Sequence, residues 1–90
     1  MNNDLEKLRQ EIDALDYELL QILAKRIAVV KKIGVHKKEK GMDPLDEKRW
    51  QDLLESRFAV AKLLELPSDF IKNLYELIHE HSLRIEKEVK

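Results

Sequence analysis

No glycine or proline interrupts the chain before Gly34, and through that stretch the apolar positions keep one spacing. Leu5, Leu8, Ile12, Leu15, Leu19 and Ile22 step by threes and fours, and the stripe resumes at Val29 and Ile33. This is the face that an amphipathic helix turns to a core. Gly34 costs roughly 1 kcal/mol against alanine but does not by itself end a helix. The pattern runs on to about Lys40, where Gly41 can cap it and Pro44 blocks continuation. A helix of roughly 36 residues is about 54 Å long, and that length governs the rest.

Two shorter helices follow. One starts near Leu45 or Asp46 and carries Leu53, Leu54, Phe58, Ala61 and Leu64. The break Glu65-Leu66-Pro67-Ser68 offers Ser68 as an N-cap for the next, which carries Ile71, Leu74, Tyr75, Ile78, Ser82, Ile85 and Val89. Asn3 or Asp4 can cap the first. The expectation is one all-α domain over residues 1–90, with helices over about 4–40, 45–64 and 68–89. Helices of roughly 20 residues span only about 30 Å and cannot cover the long stripe. A chain this short is also poor in core. Pairing of two long helices in a homodimer, with the short ones packed around them, meets both demands. A plain three-helix bundle kinked near Gly34 is the alternative.

Composition excludes several classes. Charged residues make up 39% of the chain, yet the net charge is −1, unlike proteins that track phosphate backbones. There is no cysteine, hence no disulfide, thiol nucleophile or thiolate metal site. No apolar run could span a membrane, and the Met-Asn-Asn-Asp start lacks the form of a leader peptide. A soluble protein of the cytoplasm is the expectation.

The stripe itself contains the chemical clue, because the position between Ile22 and Val29 is Arg26. A fixed cation on a core face is costly unless an anion meets it. Lys37 lies eleven positions on, close to three turns, so both cations share a face about 16 Å apart. Arg9 points about 100° away from Arg26 and cannot easily serve the same site from the same helix, but in an antiparallel dimer it could enter the partner's site. Arg49 sits one turn before Leu53, while Ser82 takes a stripe position after Ile78 and Glu86 follows one turn later. Arginines, a lysine, a hydroxyl and a carboxyl group directed inward suit a small dianion held by its carboxylates. Each group also has a structural reading. Arg26 could pair with Asp16 or Glu86, Lys37 could belong to a solvated lysine run, and Arg49 could pair with Asp46 or Asp52. Ser82 could bond back to its own helix, and Glu86 could be surface charge. His36, His79 and His81 have no metal-ligand spacing and read as structural or exposed, and Trp50 reads as packing.

The same positions carry a family likeness. Leu8-Arg9, Ile12-Asp13-Ala14-Leu15-Asp16, Leu19-Leu20, Leu23-Ala24-Lys25-Arg26, Ile33-Gly34 to Lys37, Asp46 to Arg49, and Ile78 to Ser82 and Glu86 together resemble the all-helical chorismate mutases. The likeness runs over roughly residues 5 to 88. It implies an intertwined homodimer of three-helix chains that converts chorismate to prephenate, a Claisen rearrangement in phenylalanine and tyrosine biosynthesis. It implies no cofactor, no metal and no covalent step.

By the same likeness, Arg26 and the partner's Arg9 hold the two carboxylates, and Arg49 supports the carboxylate end. Lys37 donates to the ether oxygen, Asp46 bonds the ring hydroxyl through backbone or side chain, and Ser82 lines the pocket. Glu86 faces the ether oxygen and can donate there only when protonated. Activity is therefore expected to decline from mildly acidic to neutral pH as Glu86 ionises. Many relatives carry a glutamate for the hydroxyl where this chain has Trp50, which leaves Asp46 or Glu47 as the nearest replacements. Relatives are often fused to another aromatic-pathway enzyme, which makes such an enzyme a candidate partner. An isochorismate-pyruvate lyase, similar in fold and cations, is the alternative activity. A non-catalytic helical dimer is the alternative from another class.

Overall fold

The computed structural model describes residues 3–89. It holds three helices, α1 (Asn3–Glu39), α2 (Glu47–Leu63) and α3 (Ser68–Glu88), with no strand among the described residues. The chain is all-α. At 1.5 Å per residue α1 is about 55 Å long, and it runs through Gly34 unbroken.

Each end has a local cause. Past Glu39 the Gly41 N–H donates to the Lys38 carbonyl at 3.2 Å and the Met42 N–H to the Lys37 carbonyl at 2.8 Å. These two bonds form a Schellman cap, and Gly41 takes the left-handed conformation that the cap requires, at φ 65°. Asp46 caps α2, its Oδ1 accepting the Arg49 N–H at 3.0 Å. A second Schellman cap ends α2, with Leu66 N–H on the Ala61 carbonyl at 2.8 Å and Glu65 N–H on the Lys62 carbonyl at 3.2 Å. Here the left-handed position is Glu65, at φ 58°. The cap of α3 differs from expectation. Pro67 occupies it without a side-chain hydrogen bond, and its carbonyl accepts the Ile71 N–H at 3.1 Å. Ser68 is already the first helical residue, because the fixed φ of proline sets the entry. Asn3 and Asp4 both lie within the first turn of α1.

α3 packs against both other helices and joins α1 to α2. The core is small: Val30 and Gly34 of α1, Leu53 and Ala61 of α2, and Ile71 of α3. Gly34 lets α3 approach closely, since a Cβ there would lie 3.0 Å from the Glu86 Cα. The Lys38 ammonium bonds the Val89 carbonyl at 3.3 Å and ties the two C-terminal ends together.

No apolar residue of the long stripe is buried by the described residues, and even Val29 and Ile33 stand 53% and 42% exposed, the buried positions of α1 being Val30 and Gly34 instead. Leu5, Leu8, Ile12, Leu15, Leu19 and Ile22 are each more than half exposed. For Leu5 to Ile22 the reason is length, since α3 is the helix that packs on α1 and its contacts lie toward the C-terminal half. The chain measures 61 × 28 × 15 Å with a radius of gyration of 16.9 Å, against about 12 Å for a compact chain of this size. None of the helices is long and apolar enough to cross a membrane, among the described residues.

Candidate active site

A cavity of about 250 Å³ opens where the C-terminal half of α1, the start of α2 and the second half of α3 converge. From α1 it receives Arg26, Val30, Ile33 and Lys37, which recur by fours and threes on one face. The loop and α2 contribute Pro44, Asp46, Arg49, Trp50 and Leu53. From α3 come Tyr75, Ile78, His79, Ser82, Leu83 and Glu86.

The polar groups hold one another in place. Arg26 Nη1 donates to Ser82 Oγ at 3.1 Å, so Ser82 bonds across to α1. Lys37 Nζ donates to the Pro44 carbonyl at 2.6 Å, which fixes the ammonium against the loop. The same Nζ lies 2.7 Å from Glu86 Oε1, with only 17% and 9% of the two side chains exposed. That carboxylate oxygen is buried and takes no well-aligned hydrogen bond, so the contact is one of charge rather than direction. Lys37 is therefore no member of a solvated lysine run, and Glu86 is no surface charge. Removing one member of such a pair leaves the other buried and unmatched.

Six of the seven expected site residues line this cavity: Arg26, Lys37, Asp46, Arg49, Ser82 and Glu86. The seventh, Arg9, is exposed on the free half of α1, about 25 Å along the helix from Arg26. Neither Asp16 nor Glu86 pairs with Arg26, and neither Asp46 nor Asp52 pairs with the Arg49 side chain, among the described residues. Asp46 instead holds the Arg49 backbone N–H. Glu47 is exposed and does not line the cavity.

Two residues read as packing or surface belong to the cavity wall. Trp50 and His79 stack face to face, with ring centroids 3.9 Å apart and planes 12° from parallel. Burial holds the His79 imidazole below its usual 6.5; Glu86 pulls it up, while Arg26 and Lys37 press it further down. His79 thus stands neutral at pH 7. A signal for it was present in the spacing, because His79 lies four residues after Tyr75, three before Ser82 and seven before Glu86. His36 and His81 are exposed.

The cavity brings three cations, Arg26, Lys37 and Arg49, against two carboxyl groups, one facing Lys37 and the other capping α2. Guanidinium groups in such a setting grip carboxylates in a fork, and a fixed ammonium stabilises charge that develops on an oxygen. The surplus positive charge suits an anion, with one carboxylate met within the chain.

Residues 8–87 match the family described as chorismate mutase type II. The chain is 36% identical over 81 residues to the bifunctional chorismate mutase/prephenate dehydratase of Escherichia coli (strain K12), covering 90% of this chain and 21% of that protein. It is 32% identical over 85 residues to the T-protein of Enterobacter agglomerans, covering 94% and 23%. It is 31% identical over 84 residues to the 4-amino-4-deoxychorismate mutase of Streptomyces venezuelae, covering 93% and 82%. The chain thus spans less than a quarter of the length of its bifunctional relatives and most of the length of the last.

Proposed function

The chain belongs to the chorismate mutase type II family, and from that premise we propose that it is an isomerase converting chorismate to prephenate. One observation carries the reading: the Lys37 ammonium and the Glu86 carboxyl group meet at 2.7 Å in a small cavity that also holds Arg26 and Arg49. The rearrangement breaks one C–O bond and forms one C–C bond within a single molecule. It requires no nucleophile and no net proton transfer. What it requires is a substrate folded into its compact conformer and positive charge where the ether oxygen gains electron density.

The residues divide that work. Arg26 and Arg49 bind carboxylate, and the contact with Ser82 keeps the Arg26 guanidinium turned into the cavity. Lys37 is aimed by the Pro44 carbonyl and donates to the ether oxygen. Glu86 faces the ether oxygen beside Lys37, and its present contact with the ammonium gives way to the substrate oxygen. Asp46, at the N-terminus of α2, contributes polar backbone near the ring hydroxyl.

The second carboxylate calls for another cation. A homodimer supplies it if two α1 helices cross antiparallel near residue 17 or 18, since residues 9 and 26 lie equally far, about 13 Å, on either side. The partner's Arg9 then comes level with Arg26, and the exposed stripe from Leu5 to Ile22 becomes the buried seam of the pair. This reading puts the protein in the cytoplasm. It also expects a partner that consumes prephenate, an activity that relatives named chorismate mutase/prephenate dehydratase carry in their own names.

The test is incubation of the purified protein with chorismate at about pH 5 and about pH 7.5, with identification of the product. Prephenate is expected. Arg26→Ala is expected to lose turnover by at least about a hundredfold while remaining folded and dimeric. Survival of chorismate at both pH values would overturn the reading, and the same assay with isochorismate would then test lyase chemistry.

A further inference from the structure

The polar groups of the cavity are unevenly occupied. Arg26 reaches Ser82, Lys37 reaches Pro44 and Glu86, and Asp46 uses Oδ1 on the Arg49 N–H and its carbonyl on the Trp50 N–H. The cations can take the substrate carboxylates and the ether oxygen. A ring hydroxyl also carries a hydrogen, and that hydrogen needs an acceptor once water is displaced. Trp50, standing in the wall, has a donor and no acceptor. His79 lies against it with its ring plane fixed by the stack.

We propose that His79, held in place by Trp50, accepts the ring hydroxyl of chorismate, and that the pair selects a hydroxyl over an ammonium at that position. This rests on the mutase reading above and names what discriminates its substrate. A neutral imidazole offers one acceptor nitrogen. The groups facing His79 keep it in that form, because burial, Arg26 and Lys37 outweigh the opposing pull of Glu86. The same setting is hostile to a substrate amine, which is an ammonium at neutral pH. An ammonium would add a further positive charge to a cavity already carrying Arg26, Lys37 and Arg49. A relative at 31% identity is named for 4-amino-4-deoxychorismate, in which an amino group replaces that hydroxyl. The Trp50–His79 pair therefore places this chain on the hydroxyl side of a choice available to the family.

Two variants separate the acceptor from the stack. His79→Phe keeps a ring against Trp50 and removes both nitrogens. His79→Gln keeps an acceptor and removes the ring. The wild-type protein and both variants are assayed at about pH 7.5 with chorismate and with 4-amino-4-deoxychorismate. The wild type is expected to favour chorismate in kcat/KM by roughly tenfold or more. His79→Phe is expected to lose roughly tenfold on chorismate, chiefly in KM, with little change on the amino compound, so that selectivity collapses. His79→Gln is expected to recover part of it. Trp50 is the sole tryptophan, so its fluorescence reports the stack directly. It is expected to change on acidification in the wild type and not in His79→Phe. An active His79→Phe with wild-type selectivity overturns this inference alone, as does a wild-type preference for the amino compound. Absence of wild-type turnover on both compounds overturns the mutase reading and this inference with it.

Discussion

Gly34→Ala is the perturbation that tests the geometry most sharply. A Cβ at position 34 would lie 2.8 Å from Val89 Cγ2, 3.0 Å from the Glu86 Cα and 3.5 Å from the Glu86 Cβ. The valine methyl can rotate away, but the backbone of α3 cannot. Carbon atoms rest at about 3.5–4.0 Å, so Glu86 must retreat by roughly 0.5–1 Å. That is enough to open its 2.7 Å contact with Lys37. Two stability effects oppose each other. Alanine favours the helix by about 1 kcal/mol over glycine, while overpacking costs about 1–3 kcal/mol. The net change is expected to be a loss of at most about 2 kcal/mol, measured by urea unfolding. Catalysis has no such offset. A displacement approaching 1 Å at a positioned group can cost about a hundredfold, so kcat on chorismate is expected to fall by roughly ten- to a hundredfold. A variant more stable than the wild type with unchanged kcat would refute the claim that Gly34 sets the position of Glu86.

Other consequences are as direct. Glu65 sits at φ 58° in the cap that ends α2, so Glu65→Gly is expected to stabilise the fold by about 1 kcal/mol, seen as a rise in the urea midpoint. Glu86→Gln leaves the Lys37 ammonium facing an uncharged amide at a contact of 2.7 Å, so it is expected to lower the urea midpoint; an unchanged midpoint would contradict a buried ion pair. His79 is held below its usual 6.5 mainly by burial, with Arg26 and Lys37 adding to the effect. On acidification the unfolded chain takes up that proton first, so stability is expected to fall as the pH drops from about 7 towards 5. Denaturation of His79→Phe should lack that part of the slope.

Much of this was legible because helical periodicity is local. The unbroken stripe to Gly34, the glycine at position 41 and the aspartate at position 46 each act on neighbours within a few residues, and each reads directly as a helix, a stop or a start. Arg26 and Lys37 share a face of one helix, so their convergence is arithmetic. Where the answer depends on how separate helices meet, spacing is silent. Trp50 and His79 are on different helices, and their stack exists only because α3 places one against the other. The close approach at Gly34 is of the same kind, since a glycine inside a helix looks like a cost until the facing backbone is seen. Ser68 is a good capping residue by type, but the proline before it takes the position. The free half of α1 is the extreme case, a face that none of the other described residues covers.

The stretch of helix between Arg9 and Arg26 has a consequence for inheritance of activity between chains. A rigid α-helix cannot fold back to bring its own Arg9 home, so under the dimer proposed above a damaged chain can be rescued by a differently damaged one. An Arg9→Ala chain still carries Arg26, and an Arg26→Ala chain still carries Arg9. Mixed and allowed to reassort, the two inactive proteins form one whole site in each heterodimer, about a quarter of all sites if pairing is random. Activity would then be a property of the population of pairs, falling with dilution and restored by mixing, rather than a property of any single molecule.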